Sequence, residues 1–492
     1  MPSIRFQPNR FRRRFAPASF AAAALSAFPA LAADKPATPE GAEQLKAVIA
    51  RYLPAAQAGA TPFLAVTSEG GDYLISADLS ALNGLLKEEG ASYDPATITY
   101  KAIEQDDGKW RIMTESLPRI VFHSKDTNGS FELSNFHFTG LIDPAVAWLL
   151  SGSASTDKGT FQIQTPKLDQ AIDFGPVQEN ATTNVSGDGS VSTLVKEDVA
   201  DIGLKASGVG HNDAPVNFSA RVDRALISIG LDGFKSRKAF DLWGLIAAHP
   251  TRADLADHEA DLKALLKELA APGLKIAEGI EAQKAVVTAS IGAIALADLK
   301  YQLSAANAGP QSSISLGISA EGLSLPVGIV PPAAGDLTPS KIDVAATFKG
   351  IDLAAAANEW IADISLQGDG PLLSEEDADK VEAALLSAGP IRIEIAPSHI
   401  VAPAIDADFV GVIRYEHGKA SAALTIHMRG FDNTMTAVKA MGPQVVGKAM
   451  PALALAKGLG KSESDGSLSW VVELGADRSM KINGIPFGKA PN

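Results

Sequence analysis

The sequence contains no cysteine among its 492 residues. This absence excludes disulfide bonds, thiolate ligands for metals and cysteine nucleophiles, so the redox state of the surrounding compartment does not affect folding. Beyond the N-terminal segment there is also no uncharged apolar run of the roughly 20 residues that a transmembrane helix requires. We therefore expect a mature chain without a transmembrane span, stabilised by burial alone.

Acidic residues are absent before Asp34, although the whole chain carries 57 acidic and 43 basic residues and a formal net charge of −14. Five arginines fall in this first segment, so the remainder is more acidic than the total suggests. A body of this charge repels polyanions, which makes nucleic acid and anionic lipid headgroups unfavourable partners.

The first 32 residues have the three zones of an export signal. Arg5 to Arg14 form a basic zone, Phe15 to Phe28 form a short apolar zone, and Ala30 and Ala32 place small residues at a signal peptidase site. We expect cleavage after Ala32 and a periplasmic mature protein. Arg12 to Phe15 also match the twin-arginine pattern R-R-x-F, but arginine-rich zones produce it by chance, so we favour the general secretory route.

The familiar catalytic motifs are incomplete. The segment from Gly442 to Ala449 approaches a P-loop, but Ala449 stands where a serine or threonine must hold magnesium. Ser155 and Lys158 satisfy S-x-x-K, but the S-D-N and K-T-G motifs that accompany it elsewhere do not occur, and neither does G-x-S-x-G. We therefore expect no cofactor, and the catalytic residues of any enzyme of this sequence are unknown.

Metal-binding motifs are absent as well, because neither H-E-x-x-H nor an EF-hand loop occurs. The weak candidates lie in the C-terminal strands, where Asp408 is expected opposite His427, and His399 and His417 are nearby. Separate turn and cross-strand roles explain the same residues, and we favour that interpretation over a metal site.

Most of the chain alternates apolar and polar residues in short runs, which is typical of strands with one buried face. Turn dipeptides between these runs predict hairpins at Asp107-Gly108, pairing Ile103 with Ile112; at His417-Gly418, pairing Glu416 with Lys419; and at Asn483-Gly484, pairing Ile482 with Ile485. The predicted fold class is α+β. We expect a largely antiparallel meander of hairpins with a few packed helices, arranged as one long curved sheet or as two related β-rich blocks.

Helical periodicity and capping residues divide this meander. A helix is expected from about Thr38 to Tyr52 and an amphipathic helix around Leu262. The predicted organisation is a signal peptide at 1–32, an N-terminal helix and linker at 33–60, a β-rich block at 61–250, an amphipathic helix at 251–272, and a second β-rich block at 273–492 with helices near 374–387 and 434–457.

A short unit recurs along the chain: a strand, a glycine, an apolar residue, an acid and then an apolar helical stretch. Its glycines are Gly140, Gly350 and Gly430. We expect them to be structural, since glycine allows the positive φ that turns a strand abruptly and the acid can cap the next helix. Asn483 and Gly484 are expected to have a similar structural role in the last hairpin. The unit is explained either by duplication of a hairpin-plus-helix module or by the general preference of such turns for glycine and aspartate.

The segment from Phe240 to Pro250, the repeated units and the closing segment from Lys481 to Phe487 together resemble a family of exported Gram-negative proteins of unknown function. The resemblance implies a β-rich envelope protein and brings no catalytic residues. More remotely, such arrays of hairpins are similar to envelope proteins that hold lipid on a long curved sheet.

Two functional hypotheses follow. The first is non-catalytic binding or scaffolding of an apolar partner in the cell envelope, either lipid or protein, and the absence of catalytic motifs favours it. The second is a periplasmic hydrolase whose acidic site is assembled only by the fold. The sequence does not indicate an oligomeric state.

Overall fold

The computed structural model describes residues 35–53, 62–87, 90–209, 215–326, 328–329, 332–367, 370–416 and 418–489. The signal segment with Ala30 and Ala32 lies outside the described residues, and so does His417. Within them the chain forms one large antiparallel sheet of hairpins with helices at its ends.

Most strands follow one another as neighbours in this sheet, because most are joined by short turns. They are β1 Leu64–Glu69, β2 Asp72–Asp78, β3 Ser92–Tyr93, β4 Thr97–Glu104, β5 Trp110–Thr114, β6 Ile120–Ser124, β7 Thr127–Ser134, β8 His137–Asp143, β9 Trp148–Thr156, β10 Lys158–Gln164, β11 Leu168–Phe174, β12 Val177–Val185, β13 Val191–Val209, β14 Pro215–Phe234, β15 Lys275–Ala289, β16 Gly292–Ala306, β17 Ser312–Glu321, β18 Lys341–Ile351, β19 Ile391–Ala402, β20 Ile405–Glu416, β21 Lys419–Arg429, β22 Lys461–Ser462, β23 Leu468–Leu474, β24 Ser479–Ile482 and β25 Ile485–Lys489.

The helices connect strands at the two ends of the sheet. They are α1 Pro39–Ala50, α2 Asn83–Leu86, α3 Ser236–Ala248, α4 Arg252–Ala256, α5 Glu259–Ala270, α6 Leu353–Asp363, α7 Glu375–Leu385, α8 Phe431–Ala440 and α9 Pro443–Leu459, with 3-10 helices at Leu79–Leu82 and Pro332–Leu337. No helix in the described ranges combines the length and the apolar character that crossing a membrane would require.

The long strand β13 divides the sheet into two branches. Its N-terminal half pairs with β12 and its C-terminal half with β11, while β14 pairs along nearly its whole length. One branch continues through β9, β8, β5, β4 and β2 to β1, and the other through β10, β7 and β6 to β3. On the other side of β13, an uninterrupted run of neighbours extends from β14 through β21 to β23, β24 and β25.

The compact hydrophobic core lies at the branched end of the sheet. Leu45 and Ile49 of α1 pack there against buried residues of β2 and β4, such as Ile75 and Ile98. Side chains of the second branch, including Ile120, pack against the same cluster. Both branches therefore close over one core, whereas the strands from β14 onward extend away from it.

Helices at one end of the sheet form a connected layer. Trp243 of α3 donates a hydrogen bond from Nε1 to the carbonyl oxygen of Tyr52 at 2.7 Å. Arg252 of α4 donates to three backbone carbonyls after α6, those of Ser365, Leu366 and Gly370. These helices interrupt the chain between β14 and β15 and between β18 and β19 without separating the paired strands.

Helix boundaries agree with the capping residues. Thr38 caps α1 and Pro39 begins it. Ser374 caps α7 through a reciprocal capping box with Asp377, whose pKa is lowered to about 2, first by the hydrogen bond with the Ser374 side chain. The sequence predicts that Pro443 and Pro451 break the helical stretch near 434–457; it is divided at Pro443, which begins α9, but α9 continues through Pro451. The stretch expected as one helix at 251–272 is two helices, α4 and α5.

The predicted pairing at Asp107-Gly108 is wrong by one residue. Ile112 pairs with Ala102 rather than with Ile103, because the loop has three residues and Gly108 adopts a φ of 78° at its end. The observed register places Ile112 and Ala102 together in the core, where they are 1% and 0% exposed. The pairs Glu416 with Lys419, Asp408 with His427 and Ile482 with Ile485 are present as predicted.

The glycines of the recurring unit differ in their roles. Gly350 and Gly430 adopt φ values of 80° and 67° at strand-to-helix junctions. Gly140 instead lies inside β8 without a positive φ, and no helix follows it, since Trp148 begins β9. A Cβ at Gly140 would lie 2.7 Å from the ring of Phe138, so close packing explains this glycine.

Candidate functional site

The sheet from β14 to β23 has one apolar face, which the strand register defines. Paired residues of antiparallel strands point to the same side, and alternate residues along a strand share a face. Four neighbouring rows cross nine strands on this side, and we call them the apolar face: Ala225, Ala282, Leu299, Ala320, Ile342, Ile400, Ala407, Met428 and Leu468; Ile227, Ile280, Tyr301, Ile318, Val344, Ser398, Phe409, Ile426 and Trp470; Ile229, Glu278, Leu303, Leu316, Ala346, Ile395, Gly411, Leu424 and Val472; Leu231, Ile276, Ala305, Ile314, Phe348, Ile393, Ile413, Ala422 and Leu474.

Little of the described chain covers this face. Only Ala225, Ser398 and Trp470 among its residues are buried, and the rest are half-buried or exposed. Ile229 and Ile276 retain 48% and 46% of their accessible surface, and Ile318 retains 40%. Trp470 is buried because α8 and α9 pack over it: its indole Nε1 donates to the Ala456 carbonyl oxygen at 2.8 Å. Apolar side chains left uncovered in a continuous array mark an interaction surface.

The opposite side of the same strands is polar, and we call it the polar face. One of its rows reads Glu281, Lys300, Ser319, Asp343, His399, Asp408, His427 and Ser469. Cross-strand ion pairs connect its members and their neighbours, such as Lys300 with Glu281 at 3.1 Å and Lys349 with Glu394 at 2.6 Å. Exposed ion pairs of this kind contribute little to the free energy of unfolding, but their charged groups make this face of the sheet hydrophilic.

Two of the metal candidates from the sequence, His399 and Asp408, lie together on the polar face. His399 Nε2 is 2.9 Å from Asp406 Oδ1 and 3.8 Å from Asp408 Oδ1. Sequence reasoning missed Asp406, which the alternation signals because it stands two residues before Asp408 and therefore on the same face. These three residues have the geometry to hold a cation.

Arg429 supplies the counter-charge of this cluster. Its guanidinium nitrogens lie 3.0 Å from Asp406 and 3.2 Å from Asp408. The hydrogen bond with His399 lowers the pKa of Asp406, and the charge of Arg429 lowers it further. Because the guanidinium of Arg429 already forms ion pairs with both carboxylates, the geometry fits a cross-strand ion network better than a metal centre.

His427 belongs to a different group of residues. Its Nε2 is 2.7 Å from Ser467 Oγ, and Asp465 also hydrogen-bonds to that serine. A serine hydrolase requires the acid to orient the histidine and requires an accessible serine. Here the acid contacts the serine instead, and Ser467 is only 2% exposed. The arrangement orders the loop before β23 and lacks the geometry of a triad.

A pair of glutamates occupies the apolar side near the branch point. Glu179 of β12 and Glu197 of β13 are directly paired, and Glu197 is paired in turn with Ile227 of the apolar face. Burial raises the pKa of both carboxyl groups, and the charge of Glu197 raises the pKa of Glu179 further. Neither residue was a candidate from the sequence, where each looks like an ordinary strand residue.

Comparison with known proteins gives no relative: no family model, no curated protein and no solved structure matches the chain. The functional assignment therefore depends on the geometry described above.

Proposed function

We propose that this protein is an exported, non-catalytic binding protein of the cell envelope that holds the acyl chains of lipids on its apolar face. The observation that carries the proposal is the continuous apolar face across nine strands, which the described chain covers only in part, with α8 and α9 over Trp470. At about 4.8 Å between strands and about 3.4 Å per residue, the face measures roughly 40 Å by 20 Å. This footprint of about 800 Å² includes the part under α8 and α9, and the largest apolar patch of a typical soluble monomer is about 300–600 Å².

The chemistry of the face favours acyl chains over a protein surface. Protein interfaces carry about one hydrogen bond per 100–200 Å² and are enriched in aromatic residues and arginine. The apolar face carries only three polar side chains, those of Glu278, Tyr301 and Ser398, and no arginine or lysine. Isoleucine, leucine, valine and alanine predominate. A surface of this kind suits alkyl chains, because they bind through apolar contacts and need no hydrogen-bonding partners.

The size of the face is also suited to lipid. The hydrocarbon core of a bilayer is about 30 Å thick, so one acyl chain is about 15 Å long. A chain of that length fits across or along the face, and the longer dimension accommodates more than one. The polar face on the other side of the same sheet keeps the protein in water while its ligand is bound.

Location in the envelope is supported by the N-terminal sequence alone. Basic, apolar and small-residue zones precede Ala32 in the order of an export signal. A periplasmic lipid-binding protein without cysteine folds independently of the oxidising conditions there. N-terminal sequencing of the mature protein tests the location, since a chain retaining Arg12 to Arg14 contradicts it.

A matched pair of variants on β17 tests lipid binding. Ile318 lies on the apolar face and the adjacent Ser319 on the polar face, so Ile318→Asp and Ser319→Asp add the same charge to the same strand on opposite sides. Fluorescent fatty acid uptake by purified Ile318→Asp is expected to fall about tenfold, the effect of about 1.4 kcal/mol in binding free energy. Ser319→Asp should bind like the wild type.

Circular dichroism and thermal unfolding establish that both variants are folded, which is expected because Ile318 is 40% exposed. Equal uptake by the wild type and both variants overturns the proposal. So does a purified native sample whose mass spectrum shows a bound protein and no lipid. Hydrolytic activity abolished by a single Asp, Glu or His substitution would instead establish the hydrolase alternative.

A further inference from the structure

The apolar side of the sheet continues past a kink toward the hairpin turns at one end. Asp201 of β13 and Lys284 of β15 adopt φ values of 52° and 51°, and Lys284 forms an ion pair at 3.3 Å with Asp223 of the intervening β14. Next to these two residues, the spacing between successive apolar side chains on one side changes from two residues to three in four strands. The steps are from Val199 to Ile202, from Ala225 to Val222, from Ala282 to Ala285 and from Leu299 to Leu296, so the apolar side changes between odd-numbered and even-numbered positions. Left-handed residues within strands re-aim the side chains that follow.

Pairing across the branch point shows that the same side stays apolar. Before the kink, a row of paired residues runs from Glu197 through Glu179 and Ala154 to Phe138, which packs against the core. Beyond the kink, a row leads to Ile120, which packs against the same core; its members are Ile294, Val287, Ala220, Leu204, Ile172, Phe161, Phe131 and Ile120. In β13, β14 and β16 the odd positions before the kink and the even positions after it therefore share one apolar side; in β15 the even positions before the kink and the odd positions after it lie on that side.

This side ends at exposed apolar residues. The turn between β15 and β16 consists of Ser290 and Ile291, and Ile291 is 63% exposed. Val287 on β15 is 42% exposed, and Ile329 in the connection after β17 is 43% exposed. We call Val287, Ile291 and Ile329 the apolar tip.

We propose that the apolar tip contacts the surface of a lipid bilayer, so that acyl chains pass between the membrane and the apolar face at this end. This inference rests on the proposed function. Continuity carries it: the apolar side runs from the binding face to the tip, while the helices α3 to α7 occupy the opposite end of the sheet. The hairpin backbone at the tip is internally paired up to Ala289 and Gly292, so contact with lipid leaves no strand hydrogen bonds unmade.

The charge near the tip is also compatible with a membrane. From the kink outward, the strands β11, β13, β14 and β15 together with the turn residue Lys167 carry basic and acidic residues in equal number, namely Lys167, Lys205, Arg221 and Lys284 against Asp169, Asp173, Asp201 and Asp223. This end therefore lacks the acidic excess of the whole chain, which has a net charge of −14. Repulsion from anionic headgroups is correspondingly weak here.

The test compares Ile291→Asp with Ile485→Asp in the mature protein. Ile485 is a matched control because it is 53% exposed and directly follows a two-residue hairpin turn at the far edge of the sheet. Flotation with vesicles of equal parts phosphatidylethanolamine and phosphatidylglycerol measures membrane contact. Transfer of a fluorescent fatty acid from these vesicles measures loading, and its uptake from solution measures the face itself.

Ile291→Asp is expected to reduce vesicle binding and transfer from vesicles about tenfold, since it replaces an apolar side chain that the bilayer would bury with a charged one. Uptake from solution should stay at the wild-type level, and Ile485→Asp should match the wild type in all three assays. Wild-type vesicle binding by Ile291→Asp overturns the inference. A change in oligomeric state with unchanged transfer also overturns it, by assigning the tip to a second copy. Failure of the wild type to take up fatty acid from solution refutes the proposed function instead.

Discussion

At the scale of single residues, the carboxyl groups of Glu179 and Glu197 are in an electrostatically unfavourable environment. They face each other on an apolar side, and burial raises the pKa of both. When both are charged, each carboxylate has lost part of its hydration and also experiences the charge of the other. This arrangement costs folding stability at neutral pH, and nothing in the described contacts offsets it with a basic partner.

Glu197→Gln is therefore expected to raise the free energy of unfolding at pH 7. The pKa of Glu197 in the folded protein lies above the ordinary value of 4.5. As the pH falls, the folded protein therefore takes up a proton at this residue before the unfolded chain does. The penalty is complete above the raised pKa and disappears once the pH is below 4.5. Urea unfolding of the wild type and the variant at several pH values measures the difference, which should be largest near neutrality and vanish in acid.

Glu281→Gln is the matched control on the polar face, where Glu281 pairs with Lys300 at 3.1 Å. It should leave the free energy of unfolding nearly unchanged or slightly lower. A Glu197→Gln variant that is less stable than the wild type at pH 7 contradicts the argument, because the charged pair would then be stabilising.

Residue-level sequence reasoning located part of the polar cluster. His399 and Asp408 were found because charge and alternation placed them in adjacent strands, and the pairing of Asp408 with His427 followed from the turn. Asp406 and Arg429 were missed because their roles depend on a lateral row of three strands. His427 was assigned to the same site, but its bond to Ser467 comes from the loop before β23, which alternation does not place.

At the scale of elements, the junction between β18 and α6 depends on Gly350. Its φ is 80°, and a Cβ there would lie 2.1 Å from the carbonyl oxygen of Pro390. The next acid, Asp352, caps α6 by accepting a hydrogen bond from the Ala355 N–H at 2.9 Å. Glycine and aspartate together thus turn the chain from strand to helix, as the recurring unit in the sequence indicates.

Gly350→Ala is expected to destabilise the protein by about 3 kcal/mol or more, because a left-handed φ and a backbone clash both oppose the methyl group. Gly418→Ala separates the two effects. Gly418 has a φ of 75°, but a Cβ at this position would meet no atom within 4 Å beyond its own chain neighbours, so only about 1 kcal/mol is expected. Urea unfolding measures both; equal losses in the two variants would show that the contact with Pro390 is relieved by movement of the backbone.

The elements also show why local sequence rules sometimes fail. The Asn483-Gly484 turn was predicted with its register because two left-handed residues fix a two-residue loop. Asp107-Gly108 suggests the same loop, but burial of Ile112 beside Ala102 selects a three-residue loop instead. Tertiary packing decides the register where turn chemistry allows both. The same limitation explains Trp148, whose apolar surroundings suggested a helix although it begins β9.

At the scale of the whole molecule, the sheet separates two surfaces that the sequence mixes residue by residue. Alternation predicts that each strand has an apolar and a polar side, but it does not tell whether the apolar sides are covered. That depends on where the helices lie: α1 packs over β2 and β4, α8 and α9 pack over Trp470, and α3 to α7 lie at one end of the sheet. The sequence therefore predicts the hairpins and most helices, while the uncovered face emerges only when nine strands are brought into register.

The uncovered face gives the last prediction, which concerns the native protein without lipid. Delipidated protein is expected to bind the dye ANS strongly while keeping its near-ultraviolet circular dichroism and a cooperative unfolding transition, unlike a molten globule. Fatty acid should displace the dye and raise the unfolding temperature, because a ligand that binds only the folded state stabilises it by about 2.7 kcal/mol at 100 times its Kd. Ile318→Asp should weaken both effects, and Ser319→Asp should preserve them. Dye binding that fatty acid leaves unchanged, with a constant unfolding temperature, would mean that the face is covered in solution by the protein itself or by a second copy.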